Sequence, residues 1–195
     1  MGHVHHGKSS STFLDADEIV NELNFRGNEV FVDAGCGDGY ISIKAINECL
    51  PEGIVYAVDS YSGSINSINE YVNENGIENL IPIEADISEG ISEISDSSVD
   101  VVLMLNVFHG FRESDIRQDV ICELKRIIKE DGKIAIMDFK PIEMQKGPPL
   151  DIRYSPQELE ELFSEYGLKM NYINEDVGEE IPEGKSHYMI IFQKE

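Results

Sequence analysis

Val30-Phe31-Val32-Asp33-Ala34-Gly35-Cys36-Gly37-Asp38-Gly39 carries a buried-strand pattern directly into an acidic turn with glycine at alternate positions. Glycine at 35, 37 and 39 lets the backbone turn tightly and approach a ligand closely. The segment that follows, Tyr40-Ile41-Ser42-Ile43-Lys44-Ala45-Ile46, reads as a helix whose N-terminus faces that ligand. A strand, a glycine turn and a helix in this order predict a site for a nucleotide-type cofactor. Asp33 stands at the strand's end, where a carboxylate would repel a pyrophosphate in a partly desolvated crevice. A cationic cofactor suits the position.

Outward from this stretch the chain keeps a strand-helix rhythm, the pattern of an α/β fold with a parallel sheet. Strands read at about 29–34, 54–59, 80–85, 99–105 and 132–138. Between them Ile65, Ile68 and Val72, then Ile116, Val120, Leu124 and Ile127, mark helix faces, and Asp15 to Leu23 reads as a short leading helix. The runs Val99 to Leu105 and Lys133 to Met137 are almost continuously apolar, which places them centrally, with both sheet faces covered. Pro82 removes a ladder donor from the third run and sends it to an edge. Ser155-Pro156-Gln157-Glu158 supplies a cap, a first-turn proline and a capping-box glutamate for a helix ended by Gly167. Two last strands, Leu168 to Ile173 and His187 to Gln193, flank an acidic loop over Glu175 to Lys185. Residues 1–12 read as a disordered tail and 13–195 as one domain. In that tail His3, His5 and His6 have two readings, a loose metal site and a polar terminus, the second being the ordinary one.

Composition narrows the partners. Fifteen Lys and Arg against 38 Asp and Glu give a formal charge of −23, a field that opposes nucleic acid phosphates and anionic membranes. Cys36, Cys49 and Cys122 are an odd number without metal-site spacing, which suits a reducing, cytoplasmic interior and no structural metal. No apolar run approaches the ~20 residues that cross a bilayer.

Ligands on open α/β sheets bind beyond the carboxyl ends of the strands. The second strand ends in Asp59, twenty positions after Gly39, where a carboxylate can accept both ribose hydroxyls of an adenosine. The third ends in Glu84-Ala85-Asp86-Ile87, an acceptor beside a backbone N–H able to read an adenine edge. The fourth ends in Asn106-Val107-Phe108-His109. A nicotinamide fingerprint needs a small residue where Tyr40 stands, so an oxidoreductase is the weaker reading of the turn. Cys36 reads as a small filler, with no histidine partner to activate it.

Taken together these motifs resemble the class I S-adenosylmethionine-dependent methyltransferases over nearly the whole chain. The resemblance implies a single-domain Rossmann-like sheet of order 3-2-1-4-5-7-6 with the last strand antiparallel. It also implies cofactor-binding roles for Asp33, Gly35, Cys36, Gly37 and Gly39 at the methionine end, and for Asp59 and Ser60 at the ribose. Ala85, Asp86 and Ile87 would lie at the adenine, and Asn106 and Val107 beside the amino acid group. Asp131-Gly132-Lys133 resembles the family's turn into the fifth strand, and Phe139-Lys140-Pro141 and His187-Tyr188 are similar to small-molecule enzymes of the ubiquinone and menaquinone biosynthesis type. The implied activity is methyl transfer from S-adenosylmethionine, leaving S-adenosylhomocysteine, to a small-molecule acceptor rather than nucleic acid or membrane. A domain that binds the cofactor without catalysis stays open beside it.

An acceptor that is a hydroxyl or an acidic carbon needs a base, and His109 and Asp138, after the fourth and fifth strands, are the candidates. Each, like His187, has an ordinary structural reading as a capping or buried hydrogen-bonding group. Scattered cysteines do not suit arsenite, and Asn106-Val107-Phe108-His109 lacks the Asn-Pro-Pro-Tyr-like run with which amino-methylating nucleic acid enzymes grip a flipped base. The leading helix and a stiff lid over Met144 to Arg153 would house the acceptor.

Overall fold

The computed structural model of the chain describes residues 10–112 and 115–195. Its centre is a seven-stranded sheet of β1 (Val30–Ala34), β2 (Ile54–Asp59), β3 (Leu80–Glu84), β4 (Val99–Leu105), β5 (Ile128–Phe139), β6 (Leu168–Ile181) and β7 (Gly184–Lys194). The spatial order is β3-β2-β1-β4-β5-β7-β6, with β1 to β5 parallel and β7 antiparallel to both neighbours. The order reverses between β1 and β4, which opens a crevice at their carboxyl ends. This is the Rossmann-like strand order that the resemblance implies. Pro82 lies on the edge strand β3, and the apolar runs of β4 and β5 lie inside the sheet.

Alternate residues of each strand feed two cores. On one face Phe31, Val55, Ala57, Leu103 and Met189 pack under α1 (Ala16–Leu23), α2 (Tyr40–Lys44) and α3 (Ser62–Asn75). On the other Val32, Val102, Ile134, Ile190 and Phe192 pack under α4 (Arg117–Ile127) and α5 (Pro156–Ser164). Capping follows the residues: Asp15 accepts from Asp17 N at α1, and Ser155 and Glu158 exchange backbone and side-chain bonds at α5. Past Lys44, α2 loosens into a π turn over Ala45–Cys49.

Three expectations need correction. The acidic segment 175–185 is mostly strand, because β6 and β7 form one long hairpin turning at Pro182 and Glu183. Its glycine and charges, which read as loop chemistry, are absorbed by register shifts in β6 between Asn174 and Val177 and between Val177 and Glu180. The fifth strand starts at Ile128 rather than 132, through an irregularity where Val99 pairs Ile128 and Val101 pairs Lys133. Gly132 permits it, since a Cβ there would lie 2.8 Å from Val99 O. Third, Ser10–Thr12 at the inner end of the expected tail form a 3-10 turn, with Leu14 N donating to Ser10 O. His3, His5 and His6 lie outside the described residues.

Candidate active site

Each strand end delivers its residues to the crevice. Asp33 closes β1 and is buried, with Oδ2 accepting from Ser42 Oγ at 2.6 Å. Burial pushes its carboxyl up to about 6; the Ser42 hydrogen bonds pull the other way, and the neighbouring charges of Asp59 and Asp38 add to the rise. Above it Gly35, Gly37 and Gly39 take φ values of 82°, 54° and 80°. A Cβ at Gly35 would lie 2.5 Å from Val107 Cγ2, whereas one at Gly37 would meet nothing within 4 Å. The turn is therefore pressed against the end of β4 at Gly35 and open over Gly37, the shape of a cradle for a ligand.

Asp59 ties this cradle to β2. Its Oδ2 accepts from Gly37 N at 2.9 Å and its Oδ1 from Tyr61 N at 2.8 Å, so one carboxylate fixes the turn and the start of α3 together. Each oxygen keeps a further acceptor site. Ser60, beside it, is exposed. Ala85 N donates to Asp59 O. Asp86 caps a short 3-10 turn by accepting from Ser88 N at 2.9 Å and Ser88 Oγ at 2.7 Å, both on Oδ1, which leaves Oδ2 for a ligand; Ile87 is buried under the turn. Asn106 follows β4 at φ 57°, an uncommon backbone for a residue other than glycine. The Cys36 thiol is pushed up by burial and then by Asp33, so it stays protonated and inert.

His109 and Asp138 meet. The imidazole Nδ1 lies 2.8 and 3.0 Å from the two carboxylate oxygens, and the backbone N–H groups of His109 and Phe139 donate to the same carboxylate at 3.0 and 2.8 Å. A carboxylate at Nδ1 holds the proton there and leaves Nε2 as the ring's basic nitrogen. Both side chains are buried, at 7% and 3% exposure, so the pair works shielded from bulk water. Beside them His187 is fully buried in a cluster of three rings, stacked on Phe13 at a centroid distance of 6.1 Å and tilted against Phe139 at 4.1 Å. Burial lowers its pKa to about 4, so it is neutral at physiological pH.

The N-terminal segment folds over this end of the sheet. Tyr40 Oη donates to Leu14 O and accepts from Ala16 N, both at 3.0 Å, clamping the segment onto the first helical residue after the glycine turn. Sequence reasoning gave no role to Phe13, Ser42 or Ser186. Ser42, three residues past the last glycine on a helix that starts at the turn, was the one with a signal: that helix faces back onto β1.

The family model for a methyltransferase domain matches residues 26–195. The chain belongs to that family. The cofactor of this domain is S-adenosylmethionine, with S-adenosylhomocysteine as product, so the expectation of a methyltransferase cofactor over a nicotinamide one is met. Among relatives, an arsenite methyltransferase of Halobacterium salinarum is 31% identical over 133 residues, covering 67% of this chain and 32% of that protein. A ribosomal RNA large subunit methyltransferase G of Photobacterium profundum is 27% identical over 139 residues, covering 69% of this chain and 36% of that protein. The chain thus spans about a third of the length of these curated relatives. Among solved structures, a SAM-dependent methyltransferase from Aquifex aeolicus aligns with TM-score 0.77 and 26% identity, over 92% of this chain and 89% of that one. The residues present fit such a cofactor: the turn is open at Gly37, the carboxylate of Asp33 is buried beneath it, and Asp59 keeps acceptor capacity. Among the described residues no helix is long and apolar enough to cross a membrane.

Proposed function

We propose that this domain transfers a methyl group from S-adenosylmethionine to a small-molecule acceptor, with His109 as the base and Asp138 as its orienting partner. The observation that carries the reading is the buried His109–Asp138 pair at the carboxyl ends of β4 and β5, the end of the sheet at which the glycine turn follows β1. When bound, the cofactor supplies a methyl group already activated by a sulfonium centre. Asp33 and Asp59 would hold its cationic and ribose parts, Asp86 would take the adenine, and Asn106 and Val107 would border the amino acid end. His109 Nε2 takes the proton of an acceptor hydroxyl or acidic carbon, and Asp138 stabilises the imidazolium that results. Water is kept out by Phe13, Phe139 and the N-terminal segment.

Room for an acceptor lies at the carboxyl end of β5. A cavity of about 440 Å³ opens between the loop after β5 and the β6–β7 hairpin, lined by Phe139, Met144, Lys146, Glu179 and Ser186 among others. Phe139, which lines it, ends the strand that carries Asp138, so the cavity and the pair belong to the same strand end. The formal charge of −23 opposes a polyphosphate acceptor. The three cysteines do not form an arsenic-binding group: Cys36 and Cys49 pack with the α1–α3 face, while Cys122 is exposed on α4 across the sheet.

The test is transfer of labelled methyl from S-adenosylmethionine to a panel of small hydroxyl and acidic-carbon compounds, quinone precursors among them, with ribosomal RNA and arsenite as separate arms. Label in a small organic molecule, lost in His109→Ala while cofactor affinity is kept, is the expected result. Label confined to RNA or arsenic would overturn the acceptor class. Cofactor binding with no label anywhere would favour a non-catalytic binding domain.

A further inference from the structure

His187 sits in a hydrogen-bond chain whose direction is set at its far end. Glu179 N, in β6, can only donate, so Ser186 Oγ accepts from it at 2.9 Å. Among the described residues the remaining polar neighbour of that hydroxyl is His187 Nδ1, 2.6 Å away. Ser186 is 2% exposed, and a hydroxyl proton left without an acceptor there would be costly, so Ser186 donates to Nδ1. An imidazole that accepts at Nδ1 and is neutral carries its proton on Nε2, which donates to Asn106 Oδ1 at 3.0 Å. The Asn106 amide is thereby left one orientation, Oδ1 toward the histidine and Nδ2 toward the N-terminal segment, where Ser10 Oγ lies 3.4 Å away.

The surroundings enforce the chain. Gly178, at φ 91° in the irregular part of β6, brings its backbone so close that a Cβ would lie 2.6 Å from His187 Nδ1 and 2.9 Å from Ser186 Oγ. Any side chain at 178 would break the Ser186–His187 contact. At the other end Asn106 is held at positive φ, a cost that a folded chain carries where surrounding structure over-determines it.

We propose that His187 is a positioning residue for the cofactor: through Ser186 on one ring nitrogen and Asn106 on the other, it turns the Asn106 amide so that Nδ2 is offered as a donor at the end of β4. A donor there suits the carboxylate of the cofactor's amino acid end. The inference rests on the reading of Asn106 as a border of that end, and it makes the β6–β7 hairpin part of cofactor selection.

Calorimetric titration of the full chain with S-adenosylhomocysteine tests it in wild type, His187→Phe and His187→Gln. Phenylalanine keeps the flat shape and removes both hydrogen bonds; glutamine restores an N–H donor near the Nε2 position. His187→Phe is expected to weaken binding about tenfold, the worth of one well-placed hydrogen bond, and His187→Gln to stay within about threefold of wild type. Ser186→Ala, which removes one hydroxyl and frees the ring to change tautomer, is expected to weaken binding to a level between the two. Equal affinity in wild type and His187→Phe, or equal losses in both histidine variants, would overturn the inference while leaving the cofactor site intact. No binding by wild type would instead overturn the reading of the site itself, and the inference with it.

Discussion

At the residue scale the proposed chemistry depends on how Asp138 is satisfied. It accepts from two backbone N–H groups and from His109 Nδ1, so its charge is held in place and the imidazole tautomer is set by a group that cannot turn away. Asp138→Asn would present an N–H to Nδ1 and drive the ring proton to Nε2, removing the base without removing volume. Turnover with a methyl-accepting small molecule is expected to fall about 10²-fold or more, with S-adenosylmethionine affinity within about twofold of wild type. A rate unchanged in steady-state kinetics would take the pair out of the chemistry. The role proposed for Asp33 is different. Raised to about 6 by burial, it is poised to become fully ionised when a positive charge arrives above it.

At the element scale the loop after β5 is held by one side chain. The Arg153 guanidinium, 6% exposed, donates to the carbonyls of Lys140, Ile142, Lys146 and Pro148 at 2.7 to 3.2 Å and lies 5.6 Å from the Phe139 ring centroid. The segment Met144 to Arg153, expected from its prolines and glycine to be a stiff lid, is tied to itself by this fork. Arg153→Ala would take the guanidinium donor from the carbonyls of Ile142, Lys146 and Pro148, at a cost on the order of 1–3 kcal/mol, and open the loop locally. Limited trypsin digestion is expected to cut after Lys146 about tenfold faster in the variant, and an unchanged cleavage rate would show that the loop holds itself.

The parallel elements were legible because their signals are local: glycine spacing for the turn, continuous apolar runs for β4 and β5, Pro82 for the edge, and Ser155 to Glu158 for α5. The β6–β7 hairpin was not. Its outer half is acidic and carries Gly178, Pro182 and Gly184, residues that mark loops when read singly, and only its pairing across the register shifts reveals a strand. The same holds for the site. Asp59 and the glycines could be placed from spacing, whereas the contacts between His109 and Asp138, 29 positions apart, and between Asn106 and His187, 81 apart, exist only through the strand order.

At the scale of the whole molecule the sheet gathers carboxylates from two neighbouring strand ends, Asp33 from β1 and Asp59 from β2, around one open turn in a chain of formal charge −23. That field attracts a cation and repels a phosphate. Its pH dependence follows from Asp33, whose carboxyl in the free protein titrates at about 6. A bound cation favours the ionised form, so binding releases a proton, and affinity rises with pH until Asp33 is ionised without help. Calorimetric titration of the full chain with S-adenosylmethionine at pH 5 and pH 7 measures this directly. One molecule is predicted to bind per chain, about tenfold more tightly at pH 7 than at pH 5. An affinity that fell over the same interval, or no heat of binding at either pH, would contradict a crevice built for a cationic adenosyl cofactor.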